Sequence, residues 1–166
     1  MLNFDNHEYD TGPQYFNPGT YLCKIVECKY IEFSSDQRPA FIVEFSVLDV
    51  IESESTSNKK GSSPSWVDKP GKFPKGREVW MNNIAGFWAA VKGFDRTLEE
   101  DSKDVVAATA DGTLTREIAS VTDEKIQSFQ DALVIVKAYD KRTKSGGVIT
   151  KLAFDPAKHG ETVFAD

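Results

Sequence analysis

Residues 132–156, ALVIVKAYDKRTKSGGVITKLAFDP, decide how the rest of the chain is read. An apolar run, a polar stretch holding Gly146-Gly147 and a second apolar run spell a β-hairpin. Side chains alternate across a strand, so Val134, Val136 and Ala138 share one face and Leu133, Ile135, Lys137 and Tyr139 the other. In the second strand Val148, Thr150, Leu152 and Phe154 alternate with Ile149, Lys151 and Ala153. One face therefore reads as core. The opposite face can carry Lys137, Tyr139 and Lys151 together, and the tip adds Lys141, Arg142 and Lys144.

That concentration of cations stands out in a chain of 166 residues with a formal net charge of −6. Residues 59–77 form a second basic stretch (Lys59, Lys60, Lys69, Lys72, Lys75, Arg77 against Asp68), whereas residues 95–131 hold ten acids and four bases. Charge distribution, more than the total, governs binding to polyanions. The length fits one domain, with an arm at 1–17, a body at 18–156 and a tail at 157–166. No apolar run is long enough to span a bilayer, and MLNFDNHEYD lacks the apolar stretch of a secretory signal. Cys23 and Cys28 sit five residues apart in a predicted strand, on opposite faces, and read as free buried thiols of a cytoplasmic protein.

Taken in order, Asn17-Pro18-Gly19 is a turn and residues 20–33 a long strand. Its apolar phase switches from Tyr21, Cys23 and Ile25 to Val26, Cys28 and Tyr30, which predicts a bulge or sharp bend. Residues 34–39 connect to a second strand at 40–51. Residues 52–76, rich in Ser, Gly, Pro and Lys, read as a mobile loop carrying Trp66 and Phe73. REVWMN (77–82) alternates like a short third strand with Trp80 on its polar face. Ile84, Phe87, Trp88 and Val91 then recur at helical spacing up to Gly93. Residues 105–110 have helical character, and Thr122 heads a candidate helix start.

The sequence lacks the phosphate-loop, dinucleotide, nucleophile-elbow and HExxH patterns. His7 and His159 have no ligand spacing with the cysteines, so neither a metal nor a cofactor is expected. Glu27-Cys28-Lys29 has the Glu-x-Lys form some metal-dependent nucleases use, and Asp101 with Asp104 could meet a hard cation, but both read better as solvated surface.

The order strand, strand, long loop, strand, helix, helical insertion, hairpin fits a five-stranded Greek-key oligonucleotide/oligosaccharide-binding (OB) barrel with a helix between strands 3 and 4. On NPGTYLCKIVECKYIEF, FIVEFSVLDV, GREVWMNNI and the terminal FDP, the chain from Pro18 to Pro156 resembles small phage-encoded single-stranded-DNA-binding proteins of that fold. The resemblance implies a non-catalytic protein that coats single strands in phage DNA replication, recombination or repair, in the host cytoplasm, with replication or recombination proteins as further partners. Members often carry an acidic tail ending in an aromatic. GETVFAD departs from this, because Phe164 is not terminal.

Single strands are held by a cationic groove with aromatic platforms for the bases. The expected site therefore has Trp80 as its floor and Tyr139, Lys137, Lys141, Arg142, Lys144 and Lys151 as one wall. Arg77, Lys75, Lys72, Phe73 and Trp66 form the other wall, with Arg38 and Tyr30 from the first connector. The alternative is a non-catalytic β-barrel module that binds protein or carbohydrate.

Overall fold

The computed structural model describes residues 2, 3, 5, 14–32, 38–71, 74–121 and 129–157. In chain order the elements are β1 (Gln14–Tyr15), β2 (Gly19–Ile31), β3 (Ala40–Ser53), β4 (Pro64–Asp68), α1 (Pro74–Val91), α2 (Glu99–Ala110), α3 (Thr113–Val121), β5 (Leu133–Arg142) and β6 (Val148–Pro156). The fold is mainly β. One sheet runs β1-β4-β3-β2-β5-β6, antiparallel throughout except for the short parallel pairing of β1 with β4.

The two long strands β2 and β3 form where the sequence expects them, and so does the β5–β6 hairpin. The phase switch in β2 is a ladder irregularity between Ile25 and Glu27. The extra residue there turns Cys28 inward, so Cys23 and Cys28 are both buried on the core side rather than on opposite faces. Burial pushes each thiol up to about 12, which leaves both protonated and unreactive.

The strand that follows β3 is not REVWMN but PSWVD, inside the supposed mobile loop. Its Pro64 opens the strand, where a missing N–H costs no ladder bond. Pro64 and Trp66 point inward and β4 pairs antiparallel with β3, from Phe41 opposite Asp68 to Glu44 opposite Ser65. The loop before it is tied down: Asn58 Nδ2 donates to the Tyr15 carbonyl, and Ser57 Oγ to that of Pro18. REVWMN belongs to α1. Its two-residue alternation gives way to Trp80, Ile84, Phe87, Trp88 and Val91, a helical stripe of which the first four are buried, while Val79 and Met81 stand exposed. Pro74 is tolerated in the first turn of this helix. Gly76 is required there, because a Cβ would lie 2.6 Å from the Gly71 Cα.

α1 packs chiefly on β6, and its Phe87 is the centre of the core. That ring meets Phe41, Phe45, Trp66, Phe129 and Phe154 at centroid distances of 5.3 to 6.3 Å. Such aromatic pairs add about 0.5–1.5 kcal/mol each beyond area burial. The expected N-terminal arm also contributes: Phe16 is buried against Tyr21 and Phe45. The sheet curls until Trp66 of β4 touches Phe154 of β6, with ring centroids 4.8 Å apart. It stays open all the same. Among the described residues no ladder joins β6 to β1 or β4, and a cavity of about 320 Å³ lies between them, lined by Tyr15, Trp66, Thr150 and Leu152 among others. The segment expected to start a helix at Thr122 lies outside the described residues.

Candidate nucleic-acid interface

The β5–β6 hairpin overshoots the sheet. Gly19, the first residue of β2, pairs with Ala138, so among the described residues β5 has only β6 beside it from Tyr139 outward. The turn is closed by Thr143 N–H donating to the Gly147 carbonyl at 2.8 Å, with Gly146 at φ 88°. Along the shared ladder Tyr139 sits opposite Lys151, Lys137 opposite Ala153 and Lys141 opposite Ile149. Those residues make one solvent face. Tyr139 is 47% exposed in its middle, with Lys151 across the strand and Lys137 and Lys141 two residues either side. Ile149, 45% exposed, adds apolar surface beside the ring. Arg142 points to the other face, opposite Val148, and Lys144 stands exposed in the turn. On that other face Thr150 Oγ1 donates to Asp140 Oδ1 at 2.9 Å, so Asp140 is turned away from the lysines.

The remaining expected residues do not form a floor and opposite wall. Trp66 is core, 9% exposed between Phe41, Phe87 and Phe154. Trp80 is 7% exposed, and its Nε1 donates to the Asp68 carbonyl at 3.0 Å. Tyr30 lies at the far end of β2, opposite Phe41, and lines an apolar groove of about 340 Å³ with Trp80, Ile84, Leu114 and Ile118. Arg38 donates to the Pro70 carbonyl at 3.1 Å. Lys75 and Arg77 are exposed on the first turns of α1, and Lys72 and Phe73 lie outside the described residues. The outer face of β2 and β3 carries Glu27 and Glu44. Lys29 there is paired to Glu27 at 3.6 Å. Among the described residues of the expected site, those that share one face on a common ladder are Lys137, Tyr139, Lys141 and Lys151 of the hairpin.

Two further charged residues meet this face and were not singled out from sequence. Asp155 of β6, only 7% exposed, lies 3.4 Å from Lys137 Nζ and 3.8 Å from Arg96 Nε. Nothing in the acidic run around Arg96 distinguishes it, and Asp155 reads as the close of a strand.

Asp68 ties the open edge to α1. Its Oδ2 accepts from Asn83 Nδ2 at 3.2 Å, and it feels the charge of Lys151. Burial dominates these effects and pushes the carboxyl up to about 6. A carboxyl raised on folding stabilises fully only below its unfolded value, 3.8, and that contribution is lost as pH climbs through 6. Asp68→Asn keeps the acceptor for Asn83 and removes the buried charge. Its melting temperature is expected to exceed that of the wild type well above pH 6 and to match it below 3.8. Equal melting temperatures in both ranges would show that water solvates this carboxylate freely.

Among the described residues no helix is long and apolar enough to cross a membrane, and no cluster of three or more His, Cys, Asp or Glu is placed to hold a metal ion. Fold and surface together define a curled, open antiparallel sheet with a protruding basic and aromatic hairpin. No family model matches the chain, and no curated protein matches it in sequence.

Proposed function

We propose that this chain binds single-stranded DNA with little sequence preference and without catalysis, through the outer face and tip of the β5–β6 hairpin. One observation carries the reading: Tyr139 is half exposed and ringed by Lys137, Lys141 and Lys151 on a finger that projects past the sheet. An exposed ring gives a base a stacking surface, and the lysines displace counterions from the flanking phosphates. Every base has a π-face, so such contacts tolerate sequence. The strand order β4-β3-β2-β5-β6, with α1, α2 and α3 between β4 and β5, supports an OB-type barrel left open between β4 and β6. Together with the resemblance to phage single-strand-binding proteins, this points to a role in replication, recombination or repair in the host cytoplasm.

The test is fluorescence anisotropy of labelled oligo-dT against protein over a series of salt concentrations. Tryptophan quenching is a poor readout, because Trp66, Trp80 and Trp88 are all buried. Micromolar or tighter binding that weakens linearly in log salt supports the reading. Absence of binding at low salt would sink it and leave the protein- or carbohydrate-binding module as the surviving alternative.

A further inference from the structure

The basic face does not end at the hairpin. We propose that Arg96, in the connection from α1 to α2, is a further phosphate-contacting residue of the same surface, set in place by Asp155. The inference rests on the single-strand-binding reading and extends it to a residue 41 positions from Lys137 in sequence (137 − 96).

Three local features hold Arg96 where it is. The end of α1 is closed by Gly93 N–H donating to the Ala90 carbonyl at 3.1 Å and Phe94 N–H to that of Ala89 at 2.9 Å. This is a Schellman closure, and it needs the left-handed φ of 86° that Gly93 supplies. Phe94 then folds back on Trp88, ring centroids 5.7 Å apart, which fixes the direction of the chain leaving the helix. Next, Asp95 is buried, and its Oδ1 accepts from Thr97 N–H at 2.9 Å and from Thr97 Oγ1 at 2.6 Å. Its own N–H donates to Asp101 Oδ2 at 2.7 Å. Flanked by an anchored residue on each side, Arg96 projects outward with 63% of its side chain exposed.

Asp155 does the rest. Its Oδ1 meets Arg96 Nε and its Oδ2 meets Lys137 Nζ, so one nearly buried carboxylate sets two exposed cations side by side. One positive charge remains in excess over the trio. The row Lys141, Tyr139, Lys137 steps along β5 toward this point, each step spanning two residues or about 6.6–6.8 Å. Arg96 extends that row at its inner end. A guanidinium suits phosphate, since its planar array of donors matches two oxygens at once.

The test compares wild type, Arg96→Ala and Arg96→Lys in the oligo-dT salt titration, with a thermal melt of each protein. If Arg96 neutralises one phosphate, Arg96→Ala weakens binding severalfold and flattens the slope of log affinity against log salt by about 0.7, the single-strand value for one contact. Arg96→Lys keeps the slope. A wild type that binds while Arg96→Ala shows the same affinity and slope overturns this inference and leaves the hairpin reading intact. A slope lost equally in Arg96→Lys also overturns it, because a purely structural role does not discriminate by charge. A wild type that fails to bind at all overturns both.

Discussion

Tyr139→Ala should weaken oligo-dT binding by about 5- to 150-fold while leaving the protein folded, the range that corresponds to about 1–3 kcal/mol per stacked base. The ring is 47% exposed and among the described residues belongs to none of the core's aromatic pairs, so the folded state loses little when it is removed. What it loses is strand preference at one position, which is within about 1 kcal/mol. Two controls sharpen the result. Tyr139→Phe keeps the π-face and should retain most of the affinity. Lys151→Ala, directly across the ladder, should lower affinity and flatten the salt dependence, whereas Tyr139→Ala should leave the salt slope close to the wild-type value. If Tyr139→Ala binds as tightly as the wild type, no base stacks on this face and the hairpin is not the contact surface.

Trp66→Ala should do the reverse: destabilise the fold by about 3–5 kcal/mol with no specific effect on binding by the molecules that remain folded. Trp66 packs on Phe41, Phe87 and Phe154 at centroid distances of 5.9, 5.7 and 4.8 Å. The last contact bridges the open side of the sheet, so the cavity left by alanine would open where, among the described residues, no backbone ladder joins the two edges. Domains are stable by only about 5–15 kcal/mol, and a loss of this size is a large part of the total. Urea melts followed by circular dichroism measure it, and Trp66→Phe should recover part of the loss. A Trp66→Ala protein of wild-type stability that fails to bind oligo-dT would restore Trp66 to the binding surface and contradict its burial.

These two residues show why the same sequence pattern carried opposite meanings. Both are aromatics within basic stretches, and stretch composition alone treats them alike. Tyr139 lies on an alternating strand whose core-facing partners, Val134, Val136 and Ala138, are clear, so its outward direction follows from the two-residue period. Trp66 lies in a five-residue strand bounded by Ser, Pro and Lys. A strand that short has almost no periodicity of its own, and its pairing with β3 is what makes it a strand. REVWMN failed for the complementary reason. Six residues alternate equally well as a strand or as a turn and a half of helix. Only the continuation of the stripe from Trp80 to Val91, together with the sheet it covers, selects the helix.

The sequence by itself determined the hairpin with its basic outer face, the two long strands and the register shift in the first of them. All three are local: alternation, turn chemistry and a phase switch are written in neighbouring residues. The tertiary structure alone decided which aromatics are core, that among the described residues no ladder joins β6 to the β1–β4 edge, and that Asp155 brings Arg96 beside Lys137. These are consequences of contacts between segments far apart in the chain, and burial and charge pairing are properties of such contacts rather than of any stretch. The hairpin that was legible from the start keeps its cations and its tyrosine. It loses Trp80 and Trp66 to the core, and Arg96 joins the same surface.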